Sequence, residues 1–157
     1  MSIDERFEWR ETYFILFPSA KRPSLKQVEK TVRKLGSHFE LSGEEADDDG
    51  LLETLHIRSP EDHSALEVDY LCGDEVLIQV EELSKQMRGE TDDRDKLAML
   101  KKCNARFEVM HFEEMGDGYD RDEADEVFDP SALLVVLDAL IDLTGGVGVD
   151  PQSGTLL

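Results

Sequence analysis

At 157 residues the chain is sized for one domain around one hydrophobic core, and 39% hydrophobic with 34% charged residues keeps it out of the disordered class. Its net charge of -20, from 37 acidic and 17 basic side chains, repels phosphate backbones and anionic lipid, which argues against nucleic-acid and membrane partners. Met1 to Arg10 has no continuous apolar stretch of a secretory leader, and no run reaches the roughly 18 apolar residues of a membrane span, so a cytoplasmic protein is expected.

The reading is of a single α+β domain over residues 1–157, with residues 1–10 as a mobile N-terminal arm. Thr12 to Phe17 is β-prone and apolar on both faces, as a central strand requires, and Pro18 stops it. Ser24 and Gln27 form a capping box, and Leu25, Val28, Val32 and Leu35 follow at helical spacing up to Gly36, which predicts a helix over 25–35. Alternating stretches at His38–Leu41, Leu51–Arg58 and Ala65–Cys72, separated by turns, predict an antiparallel meander.

Val76, Val80, Leu83 and Met87 mark a helix ended by Gly89, and Asp93 to Cys103 marks a second, with Gly89–Asp92 as linker. Arg106 to Glu114 alternates as a strand through Phe107, Val109 and His111, and an acidic run follows, expected as a solvated loop. Asp129-Pro130 caps a last helix that Thr144-Gly145-Gly146 closes. This order predicts an antiparallel sheet with helices packed on one face, ferredoxin-like with an added strand and a C-terminal helix. Cys72 and Cys103, with no CxxC spacing, are expected as free buried thiols, with a disulfide as the lesser alternative.

Candidate chemistry is sparse. Glu45 to Gly50 resembles a calcium loop only in its alternating acids, because the position that should carry a bidentate Glu is His56 in a predicted strand; a solvated acidic turn is expected and no metal. His38, His56, His63 and His111 show no zinc-ligand spacing. No nucleophile elbow, cysteine-protease neighbourhood or phosphate loop occurs, so no catalytic residue and no cofactor is assigned.

One stretch departs from the acidic background. Lys21, Arg22, Lys26, Lys30, Arg33 and Lys34 stand against a single Glu29, and Lys26, Lys30 and Arg33 share the helix face opposite Val28, Val32 and Leu35. The plain reading is a solvated face; the functional one is an anion or acidic-partner site at Lys21, Arg22, Lys26, Lys30 and Arg33. In the last helix Leu133, Val136, Leu137 and Leu140 form a core face, leaving Leu134 and Ile141 as a candidate interface for a second copy unless Val147 to Leu157 folds over them. The expected function is a small acidic binding or regulatory domain, non-enzymatic and acting through protein–protein contacts. A small hydrolase or transferase with a carboxylate/histidine site is the alternative.

Overall fold

The computed structural model describes residues 7–36, 38–87, 94–114, 131–150 and 155–156. It is an α+β protein built on an antiparallel sheet in the order β2-β3-β4-β5-β1-β6-β7. The strands are β1 (Phe7–Phe17), β2 (Glu40–Ala46), β3 (Leu52–Ser59), β4 (Ser64–Cys72), β5 (Ala105–Glu114), β6 (Val147–Asp150) and β7 (Thr155–Leu156). The helices are α1 (Leu25–Leu35), α2 (Asp74–Met87), α3 (Arg94–Lys102) and α4 (Ser131–Thr144). Among the described residues no helix is long and apolar enough to cross a membrane.

Local chemistry sets the element ends. The Ser24 hydroxyl accepts from the Gln27 amide at 3.1 Å while the Gln27 side chain accepts from the Ser24 amide at 2.9 Å, satisfying two orphan donors of α1. At the end of α4, Gly145 takes φ +64 and the Gly146 amide donates to the Ile141 carbonyl at 3.2 Å, a Schellman closure. Gly146 is also required by space, since a Cβ there would lie 2.3 Å from the Leu16 carbonyl oxygen, and this close approach starts β6 alongside β1. The Gly89–Asp92 linker, the acidic run after Glu114 and the Asp129-Pro130 cap lie outside the described residues, as does most of the tail beyond Asp150.

Helices cover both faces of the sheet, which corrects the expectation of one. Ile15 and Phe17 of β1 pack with Val28 and Val32 of α1 and with Leu133, Val136, Leu137 and Leu140 of α4, around Leu55, Ile57, Val68, Phe107 and Val109. Leu16, between them in the strand, points the other way and packs with Val76 and Val80 of α2, Leu100 of α3, and Cys103 and Val149. A strand that is apolar on successive residues needs a dry layer on each side. The sheet order, with β5 inserted between the meander and β1, does not by itself establish the ferredoxin-like arrangement. β1 starts at Phe7, so residues 7–10 of the expected arm belong to a strand, kinked by a register shift between Trp9 and Glu11.

Of the two free thiols, Cys103 is buried as expected. Cys72 is exposed, because β4 ends there and the chain turns away at Gly73.

Candidate functional site

The basic stretch divides when it folds. α1 turns Val28 and Val32 to the core, which sends Lys26, Lys30 and Arg33 to solvent, with Arg33 held 3.3 Å from Glu29 one turn back. Lys21 is exposed in the short turn Ser19–Lys21. Arg22 instead turns inward: its guanidinium donates to the Leu52 carbonyl at 2.8 and 3.2 Å, pairs with Asp47 at 3.0 Å and lies 3.7 Å from the Tyr70 ring centroid. It clamps the 47–52 turn to the body of the protein.

The acidic turn is accounted for by the same contacts. Asp47 accepts from the amides of Asp49 and Leu51, both at 2.9 Å. The Leu51 amide foremost, with the Asp49 amide and Arg22 adding to it, holds the Asp47 carboxyl below the usual carboxylate range. Its oxygens serve the turn, and among the described residues no group of three His, Cys, Asp or Glu is placed to hold a metal ion.

α4 lies beside α1 on the same sheet face. Leu134 and Val135 are exposed on its outer side at 50% and 43%, next to exposed Asp138 and Asp142, whereas Ile141 is half-buried against the core. The described start of the C-terminal segment does not cover them, because Val147–Asp150 joins the sheet as β6. The outer surface of this helix pair therefore carries two exposed aliphatic side chains and two carboxylates on α4, with the ammonium and guanidinium groups on α1.

Strand pairing creates a second polar grouping that the sequence does not show. On the face that α2 and α3 only partly cover, register places His56 opposite Glu67 and Thr54 opposite Asp69. The His56 ring nitrogen Nε2 is 2.8 Å from Glu67, and the Thr54 hydroxyl donates to Asp69. Burial pushes the Glu67 carboxyl up from its ordinary value, helped by a hydrogen bond and the negative charge of Asp69 and opposed by His56. Farther along, Arg58 pairs with Glu114 at 3.2 Å, and buried Arg106 ties β5 to α2 through Gln79 at 2.7 Å, beside Glu108 at 2.6 Å.

His111 lies on the other face, so it does not join His56. It is fully buried, 3.6 Å from Glu11, and burial first, with the nearby Arg10 charge, pushes its imidazolium down to about 4. On β1, Tyr13 is raised to about 12 by burial, then by Glu11 and Asp150. The His38 ring lies tilted against Phe39 with centroids 4.3 Å apart, and His63 sits in a turn with φ 51. The histidines thus serve separate neighbourhoods.

A cavity of about 480 Å³ lies between α2 and α3, lined by Leu77, Val80 and Ser84 of α2 with Lys101 and Cys103 from the other side. No histidine enters it. The residues that line it on α2 recur at helical spacing in the sequence, but the position of α3 across from them is a tertiary fact. Family models, curated proteins and solved structures were compared with this chain, and none matches.

Proposed function

We propose that this protein is a non-enzymatic binding domain whose working surface is the outer face of α1 and α4, and that its partner is an acidic protein segment carrying apolar side chains. The observation that carries this reading is the placement of exposed Leu134 and Val135 on the helix packed beside the outward-facing Lys26, Lys30 and Arg33. On a chain of net charge -20 this is where a local cationic surplus meets exposed aliphatic surface. An acidic segment is steered there by charge over a Debye length of about 8 Å and held by apolar contact. A desolvated aliphatic centre with a charged rim is the usual anatomy of such an interface.

Selection of binders from a peptide library tests it. Acidic peptides with interspersed Leu or Phe should be enriched, and their binding should be lost with Leu134→Asp and with Lys26→Glu plus Lys30→Glu. Binders indifferent to both changes would reject the surface. Sedimentation of the free protein decides whether a second copy is the partner: a dimer dissociated by Leu134→Asp would replace the acidic segment with self-association.

A hydrolase or transferase is the second reading, favoured by His56, Glu67, Thr54 and Asp69 lying together with Glu67 raised. Its drawback is geometric: the side chains are paired with one another across a sheet surface, away from the α2–α3 cavity.

A further inference from the structure

The stripe Leu77, Val80, Glu81, Ser84 of α2 runs at helical spacing along one wall of the α2–α3 cavity, aliphatic at its N-terminal end and polar at its C-terminal end. Val80 and Cys103 are buried beneath it, and Cys103 is occupied, its thiol donating to the Met99 carbonyl at 3.2 Å. Burial also pushes that thiol up to about 12, so it acts as apolar wall and not as a nucleophile. The Ser84 hydroxyl is buried yet has no hydrogen-bond partner, although a helical serine can ordinarily turn back to a carbonyl of the preceding turn. At the mouth, Glu81 is neutralised by Lys85 at 3.2 Å, while Lys101 makes no ion pair among the described residues.

We propose that this cavity binds a small amphipathic carboxylate, with its chain along Leu77, Val80 and Cys103 and its oxygens at Ser84 and Lys101. The volume falls in the range of small-molecule sites. The seven helical steps from Leu77 to Ser84 advance roughly 10 Å, the length of a chain of about eight carbons. The Ser84 hydroxyl, turned toward the cavity from its buried position, gains the acceptor it lacks, and the Lys101 ammonium meets the carboxylate inside the screening distance beyond which the acidic surface fades. This site is separate from the α1–α4 face, and either could exist without the other.

The test is titration of octanoate into the full chain at physiological salt, followed by amide chemical shifts. Saturable shifts confined to α2 and α3 are expected, with octanol about tenfold weaker because it lacks the charge. Lys101→Glu should weaken octanoate by about tenfold or more and leave octanol unchanged, and Ser84→Ala should weaken both by a smaller factor. Lys101 is exposed, so that variant should melt with the parent protein, which separates lost binding from lost folding. Absence of saturable shifts at millimolar octanoate, equal affinity for octanol, or insensitivity to Lys101→Glu would each overturn the proposal.

Discussion

Against α1 and α4 the sheet presents Ile15, Phe17, Leu55, Ile57, Val68 and Phe107, each at 1% exposure or less; against α2 and α3 it presents Leu16 and Val149. Beyond the reach of α2 and α3, that second face carries Thr54, His56, Arg58, Glu67 and Asp69. The same strands supply both faces, so strand propensity does not set their composition. Helix cover does: where a helix lies, inward positions are aliphatic or aromatic, and where it stops, hydrogen-bonded polar cross-strand pairs take over.

The sharpest way to break this contrast is truncation. Phe17 and Phe107 pack as tilted rings with centroids 4.8 Å apart in the larger core, so Phe107→Ala should cost about 3–5 kcal/mol by urea unfolding. Leu100→Ala in the smaller core should fall near about 2 kcal/mol, the low end of such changes, because fewer buried neighbours surround it. Equal losses would put both cores on one footing.

The two faces should also titrate in opposite senses. His111 on the drier face has a folded value of about 4 against an ordinary 6.5, so the unfolded chain binds the extra proton as pH falls between them. Stability is then complete above 6.5 and declines by roughly 3 kcal/mol on the way to 4. An imidazole resonance of His111 with a midpoint near 6.5 would refute the burial argument. Glu67 runs the other way: its raised folded value makes its contribution favourable at low pH and lost as pH rises through that value. Glu67→Gln should therefore raise the unfolding free energy at pH 7 by about 0.5 kcal/mol and change little at pH 4. The smallest effect is expected outside both faces, where Lys26→Glu with Lys30→Glu should shift stability by less than about 0.5 kcal/mol while abolishing the proposed partner contact.

What the sequence made legible was local. The capping box at Ser24 and Gln27, the alternation of Leu66, Val68 and Tyr70, and the α2 stripe each depend on residues a few positions apart, and each lies where expected. The second helical layer was written in β1, whose successive apolar residues Phe14 to Phe17 require it, but a tally of elements does not say which helix crosses to which side. His56 and Glu67 meet only through the β3–β4 register, and Arg22 is drawn inward by Tyr70 and Leu52, partners far along the chain. Leu134 was legible as surplus aliphatic surface; Ile141 was not separable from it, because residues seven apart share one stripe of the helix and only the cover at each end of α4 distinguishes them.

The position of β1 also orders events during synthesis. β1 is hydrogen-bonded to Ala105–Glu114 on one side and to Val147–Val149 on the other, both made after it, whereas the β2–β3–β4 meander pairs between neighbours. At on the order of 5–20 residues per second, the run Phe14 to Phe17 waits several seconds outside the ribosome before β5 exists to receive it. Nascent chains stalled before Ala105 should be cleaved readily within that run and held by chaperones, and chains extended through Glu114 should begin to resist. The residues at the centre of the finished sheet are thus the ones most exposed to misassembly while it is being made.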